Sequence, residues 1–493
     1  MALALAWCVA SLLLPNHGDQ AAYNWIARTI TEGGMPYVDA WDVKGPAAAL
    51  PFLLTTILFG SASWGIRPLD VVLVLATAVV IHRTLLPWAG RAAAQLGAVL
   101  WILSYGALGF NNTAQPDGWV AMAVMLAAAP ALRRERAPEL AGALALAVVC
   151  GMASMVKPLY LLYLVPAGMT AWRAPAPDRP VRLGLTLVAA VAPVALMALW
   201  LAQGGALDAA RDGYLGFNLA KNSGGLVPLV LFNLSYGLLR EPSVLLLGVL
   251  AAAGLARLFA RGAPAREQLL LLGVLIAIGA ATSLIQRPWY PSRVLPLLPP
   301  LAFAAALGLG ELLEPGEVRA PALRAVLGTA LALALLVVVR EPLADVVRAG
   351  RVAVGMRTRE SYEHSYNFHG ATAADVRAMA RTLAQRTAPD AAGYAWRHLG
   401  VMLLAERPAA SRLMLPVTLW DDAPEPWRGV FASEIDSVLA SGPAWLLLEA
   451  PSARDTLLPE LEPLRFLPGT AAKLEDHYQL AAVEGPLRLF LRR

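Results

Sequence analysis

A chain of 493 residues that is 58% hydrophobic and only 15% charged lacks the polar surface of a wholly soluble protein, since globular domains carry roughly 25% charged residues. The net charge of +5 does not mark a nucleic-acid partner, because the basic residues lie between apolar runs and no basic-aromatic module accompanies them. The two cysteines, Cys8 and Cys150, both fall inside apolar runs, which excludes a thiolate metal site and gives the C-terminal tail no disulfide.

Apolar runs of membrane-spanning length fill the chain up to position 340, and only helices satisfy their own backbone in lipid. The expected spans are 2–14, 68–87, 92–110, 118–132, 139–156, 158–172, 183–203, 242–260, 267–285, 291–310 and 322–340. The first run, MALALAWCVASLLLP, lacks the positive start and the cleavage site of a signal peptide and reads as a membrane helix. Segment 47–60 is apolar but short, so a re-entrant or interfacial helix is expected there, and 225–240 is similar. Arginines cluster at Arg133, Arg134 and Arg136, at Arg173, Arg179 and Arg182, and at Arg257, Arg261 and Arg266. Cytoplasmic loops carry such clusters, and Arg319 and Arg324 fall on the same side. Segments 15–67, 111–117, 204–241 and 286–290, the turn at Lys157 and residues 341–493 then lie outside. The expected fold is an all-α polytopic membrane domain over 1–340, with about eleven transmembrane helices plus interfacial ones, followed by a small α/β extracytoplasmic domain over 341–493. In that tail the pattern predicts a helix over 371–386, a strand over 444–449 and a final hairpin over 478–491.

The outer segments hold the residues suited to chemistry. The first reads NHGDQAAYNWIARTITEGGMPYVDAWDVKGP and carries Asp19, Tyr37, Asp39, Asp42 and Lys44. An Asp ahead of a helix also serves as a cap, but three aspartates and a lysine against an apolar wall are costly near lipid and tend to be functional. Asp117 stands in QPDGWVAM at the mouth of a helix, where a carboxylate also suits the dipole. Lys157 lies in MVKPLYLL between two apolar runs, where snorkelling to the interface is the plain alternative. The chain has four lysines against 36 arginines, and Lys44, Lys157 and Lys221 map to the outer face. His17, two positions before Asp19, is a further candidate metal ligand. Tyr362, His364, Tyr366 and His369 read as an interfacial aromatic belt.

These stretches resemble the polyprenyl-phosphate-sugar glycosyltransferases of the GT-C class, especially the lipid A aminoarabinose transferase type and the protein O-mannosyltransferase superfamily. NHGDQ matches the acid that follows the first helix, GGMPYVDAWDVKGP the stretch after it, QPDGWVAM the short acidic loop, MVKPLYLL the lysine turn, and WYPSRVLPLLPP the entry to a late helix. The resemblance covers about 1–340 and is most specific over 16–60. It implies an enzyme that moves a sugar with inversion from a polyprenyl-phosphate donor to a hydroxyl on an envelope lipid, glycan or protein, at the outer face of the cytoplasmic (inner) membrane and among its lipids. On that reading Asp19 is the general base, Asp117 a second acid orienting acceptor or metal, and Asp42 the group that holds Lys44. Lys44, Lys157 and Arg293 contact the donor phosphate, with Asp39 and Tyr37 as further substrate contacts. A divalent metal ion is the single cofactor the acids suggest, although Gln20 stands where relatives often carry a second acid. The rival readings are a transporter or flippase of lipid-linked sugars, a lipid-linked polymerase, and a scaffold with an exported tail. Coupled transporters place acids near the bilayer midplane, whereas spans 92–110, 242–256 and 268–285 hold no charge.

Overall fold

The computed structural model describes residues 1–16, 18–60, 65–133, 140–221, 225–286, 289–313, 321–413, 425–450, 457, 460–461, 464 and 468–493. It is mostly helical, with a small sheet region near the C-terminus, and divides into two compact units.

The first unit comprises Met1–Leu12, Arg67–Leu199 and Gly224–Val347. Five helices among the described residues are long and apolar enough to cross a membrane: Ile66–Ala107, Ala176–Gln203, Pro242–Ala260, Ala265–Leu284 and Arg324–Ala353. Several expected spans take a different form. Runs 68–87 and 92–110 are two arms of one continuous assignment broken at Gly90, whose φ of 75° only glycine adopts freely. Segment 158–172 begins as a 3₁₀ turn, Pro158–Tyr163, before the short α-helix Leu164–Trp172. Segment 291–310 likewise opens with the 3₁₀ turn Pro291–Val294 ahead of Leu298–Leu313. In both, proline has no N–H to give and starts the turn where that donor would go unused. The last helix runs from Pro321 to Ala353, well beyond the expected 340. Segment 47–60 is a 3₁₀ turn followed by Leu50–Phe59.

Small residues set the closest helix pairing. A methyl group at Gly254 would overlap the carbonyl of Ala304, and one at Gly308 would overlap the carbonyl of Leu250. Helices Pro242–Ala260 and Leu298–Leu313 therefore meet backbone to backbone, the usual route to tight packing between membrane helices. Asp70 and Arg67, both buried in this unit, are each paired. Asp70 accepts hydrogen bonds from the Tyr105 hydroxyl at 2.6 Å and Trp119 Nε1 at 2.9 Å, while Arg67 donates to Thr113 Oγ1 at 3.0 Å.

Hydrogen bonds also sort the helix ends into two sets. Arg173 donates to the carbonyls of Ala131 and Glu267, Arg261 to that of Trp88, and Trp88 Nε1 to that of Leu132. Asp117, Lys157, Gln286 and Arg293 meet at another set of ends. Arg173 and Arg261, from two of the arginine clusters, thus belong to one set. Arg134, Arg136 and Arg319 lie outside the described residues.

The second unit comprises Leu13–Ile66, Trp200–Ser223 and Arg348–Arg493. Its four-stranded sheet has the order β3-β4-β6-β5, with β3 (Gly393–Ala395), β4 (Trp445–Glu449), β5 (Tyr478–Glu484) and β6 (Leu487–Arg492). β3 and β4 are parallel, whereas β6 runs antiparallel to both β4 and β5. Every residue of β4 is buried, as befits a central strand covered on both faces. A separate hairpin pairs β1 (Asn367–Phe368) with β2 (Ala371–Thr372). Helix Ala373–Arg386 follows it, closed by a capping box between Thr372 and Asp375. Trp41, Phe217, Trp427 and Phe431 form an aromatic core joining the three segments. Tyr362 and Tyr366 are 0% and 2% exposed and in ring contact, so they belong to this unit's interior and not to a lipid-facing belt.

Candidate active site

The predicted residues fall into two clusters, one in each unit. In the second unit Asp19 opens helix Asp19–Thr31, whose N-cap is Gly18. Asp19 is therefore not the cap. Its Oδ2 accepts a hydrogen bond from Lys44 Nζ at 2.7 Å, and the ammonium also stands 4.7 Å from the Tyr23 ring centre. The Lys44 side chain is 14% exposed and that of Asp19 48% exposed, which leaves the carboxylate held and reachable.

The loop from Met35 to Lys44 is built to deliver that lysine. Asp39 Oδ2 accepts from Met35 N at 2.7 Å, and Tyr37 donates its hydroxyl to the Lys44 carbonyl at 2.6 Å. Burial first, then the neighbouring Asp42 and Tyr214, push the Tyr37 hydroxyl pKa far up, which keeps it a donor. Asp42 Oδ1 accepts from the backbone N–H of Val43 at 2.6 Å and of Lys44 at 3.4 Å. The expectation that Asp42 holds the Lys44 ammonium is thus corrected: Asp19 takes the ammonium, because the Asp42 carboxylate is turned onto its own backbone. Asp39 and Tyr37 are seated within the same loop.

Burial pushes the Asp42 carboxyl from 3.8 up to about 6, with Lys44 opposing the shift and Asp19 adding to it. A folded-state pKa above the unfolded one means that the folded protein holds the proton more tightly. This contribution to stability is fully present below about pH 4 and is lost as pH rises through about 6. Asp42→Asn accepts the same two N–H groups without burying a charge, so its melting temperature is expected to exceed the parent's at pH 8. The gap should narrow towards pH 5, and a gap that stays constant between pH 5 and 8 would rule out the buried carboxylate as its cause.

The first unit gathers three more predicted residues. Asp117 lies in the first turn of Pro116–Leu132, and its side chain is 5% exposed. Lys157 Nζ donates to Asp117 Oδ2 at 2.6 Å and to Gln286 Oε1 at 2.7 Å. Arg293, on the 3₁₀ turn, donates to the same Gln286 oxygen at 2.6 Å and stands 3.8 Å from Asp117 Oδ2. The Tyr160 hydroxyl donates to Asp117 Oδ1. Lys157 does not snorkel: it is drawn inward, with 13% of its side chain exposed. Gln286 and Tyr160 were missed, since a neutral residue beside an apolar run carries no charge signal.

Asp19, Asp42 and Asp117 each spend carboxylate oxygens on protein donors, and no group of three metal-ligating side chains converges among the described residues. His17 lies outside them. The acids as arranged do not fit a divalent ion, and no step is routed through one below.

The overall fold is similar to that of solved structures. The crystal structure of ArnT from Cupriavidus metallidurans in the apo state superposes with a TM-score of 0.61 at 17% identity, covering 99% of this chain and 95% of that one. The same protein bound to undecaprenyl phosphate gives 0.58 at 16% identity, over 99% and 96% of the two chains. No family model and no curated protein sequence matches the chain.

Proposed function

We propose that the chain is a membrane glycosyltransferase that moves a sugar, with inversion, from a polyprenyl-phosphate donor to a hydroxyl of an envelope lipid, glycan or protein. The observation that carries this reading is the set around Asp117. Two half-buried cations there, Lys157 and Arg293, approach the same carboxylate and the same neutral amide oxygen. Two cations held side by side suit the phosphate of a lipid donor. A shallow, open surface groove of about 450 Å³ lined by Pro158, Leu159, Leu161, Leu162, Leu164 and Val165 begins at the residue after Lys157. Its wholly apolar lining suits a prenyl chain. The undecaprenyl phosphate bound by the similarly folded ArnT supports the same donor class.

In the reaction, the Asp19 carboxylate takes the acceptor hydroxyl proton as that oxygen bonds to the anomeric carbon. The bond from the anomeric carbon to the phosphate oxygen breaks, and its electron pair leaves with the phosphate. Within the first unit, Lys157 and Arg293 are the cations suited to a donor phosphate. Lys44 orients Asp19; Asp42, Tyr37 and Asp39 shape the loop that carries Lys44, and Asp117 fixes Lys157. The test is transfer from a radiolabelled polyprenyl-phosphate sugar by the protein in proteoliposomes, with the product's anomeric configuration read by NMR. Retention of configuration would defeat direct displacement, and no transfer would defeat the reading.

We further propose that 1–340 is the catalytic membrane domain with eleven spans in the inner membrane, and that 341–493 is extracytoplasmic. Supporting this, three segments expected outside, 15–67, 204–241 and the tail, supply nearly all of the second unit. Single cysteines placed in 173–182 or 257–266 should resist an impermeant thiol reagent in intact cells, whereas one in 373–386 should label. The reverse pattern would overturn the topology.

A further inference from the structure

Open α/β sheets bind ligands beyond the carboxyl ends of their parallel strands, where backbone and side-chain groups are left unused by the ladder. In this chain that edge carries charge. Glu449, the last residue of β4, is 7% exposed and accepts from an Arg397 guanidinium nitrogen at 2.9 Å. His398 Nε2 lies 3.7 Å from the same oxygen. Arg397 and His398 come two and three residues after β3, the strand parallel to β4.

Two strained corners bring side chains to this edge. The His398 N–H donates to the Trp396 carbonyl at 2.8 Å across Arg397, whose φ is 70°. That is the three-residue γ-turn in its rare, strained form. The second corner is the two-residue turn between β1 and β2, where His369 has φ 50° and Gly370 φ 85°. Such a turn favours Asn or Gly at both positions, yet its first is an exposed histidine. Strain of this kind persists where the surroundings over-determine it, and it clusters at binding sites. The Phe368 ring lies 4.3 Å from that of His369 and 6.4 Å from that of His398. It also fills the space a side chain at Gly18 would take, which puts it next to the residue preceding Asp19. Burial first, then Arg397, hold the His369 imidazole below its ordinary pKa, opposed by Glu449 and Asp19. At neutral pH it offers one donor and one acceptor.

We propose that this edge, formed by Phe368, His369, Arg397, His398 and Glu449, binds the hydroxyl acceptor and that the acceptor is a glycan. The proposal rests on the transfer reading above. The exposed His369 imidazole and the Arg397–Glu449 pair, backed by the buried His398, set donors beside acceptors as neighbouring sugar hydroxyls require. The Phe368 ring offers an apolar face to the C–H side of a pyranose. An extended peptide would instead use a free strand edge and pockets for alternate side chains, and a glycan-free lipid would need an apolar lining.

The test uses the full-length protein in nanodiscs and three probes: envelope glycan from cells lacking the gene, a Ser/Thr-rich peptide, and glycan-free phospholipid. Glycan alone is expected to slow amide exchange over 366–372 and 396–399. His369→Gln and Glu449→Gln should each raise the glycan concentration for half-maximal transfer about tenfold, the effect of losing roughly one hydrogen bond to a charged or positioned group. That rise should exceed any fall in the rate at saturation, and binding of polyprenyl phosphate should not change. Slowed exchange with peptide or phospholipid, no slowing with any probe, or unchanged half-saturation would each overturn the assignment. If Glu449→Gln fails to fold, His369→Gln at the exposed turn decides alone. A parent protein that binds glycan at this edge but moves no sugar would defeat the transfer reading and leave this one standing.

Discussion

Asp19→Asn is expected to lower sugar transfer by about 10²–10⁴-fold, the usual cost of losing a general base, with the melting temperature close to the parent's. Asparagine keeps the size and an oxygen for the Lys44 ammonium but has no lone pair basic enough to take the acceptor proton. Little stability should be lost, because the Asp19 carboxylate is half exposed and exposed ion pairs contribute only about 0–1 kcal/mol. Nor is a helix cap lost, since Gly18 holds that position. The measurement is product formed from a radiolabelled polyprenyl-phosphate sugar, alongside the melting temperature. Activity within a few-fold of the parent would sink Asp19 as the base and move suspicion to Asp117.

The largest loss of stability is expected from Asp117→Ala. It leaves the half-buried Lys157 and Arg293 without their shared, buried carboxylate, and breaking a fully buried pair from one side costs about 3–5 kcal/mol, the upper bound here. The double change Asp117→Leu with Lys157→Met removes both charges and fills the space, so it should cost much less than the sum of the two single changes. This non-additivity is the signature of a direct interaction. Unfolding of the four proteins in mixed micelles measures it. Additive losses, or a single-variant loss below about 1 kcal/mol, the range of an exposed pair, would mean that the contact is not a buried ion pair. Donor binding should fall with either single change, and Lys157→Arg should restore it only in part, since the two cations differ in shape and hydration.

The sequence made the individual charges legible and left their pairing hidden. Asp117, Lys157 and Arg293 stand out because each interrupts or borders an apolar run, and the structure brings all three together. Gln286, which joins the two cations, is neutral and invisible to a search for charge. The nearest acid in the chain suggested Asp42 as the partner of Lys44. The ammonium goes instead to Asp19, 25 positions away, because Asp42 is occupied by the two N–H groups that follow it. Hydropathy found where the apolar segments lie but not the 3₁₀ turns at Pro158 and Pro291, whose side chains are as apolar as those of an α-helix. In the tail, the helix, the strand and the final hairpin were readable from local pattern, and the capping box that starts the helix was not among them. The γ-turn at Arg397 was not, since no residue type announces a positive φ there.

The backbone contact at Gly254 and Gly308 fixes more than closeness. With carbonyls seated where side chains would be, neither helix can slide along the other by a turn without driving a carbonyl into a methyl or a larger group. The register between Pro242–Ala260 and Leu298–Leu313 is locked like a key in a slot. The turn that carries Arg293 ends at Val294, shortly before the second of these helices starts at Leu298, so the pair helps fix where the backbone of that turn stands. Any movement that reached the guanidinium through this seam would arrive as a tilt of both helices at once.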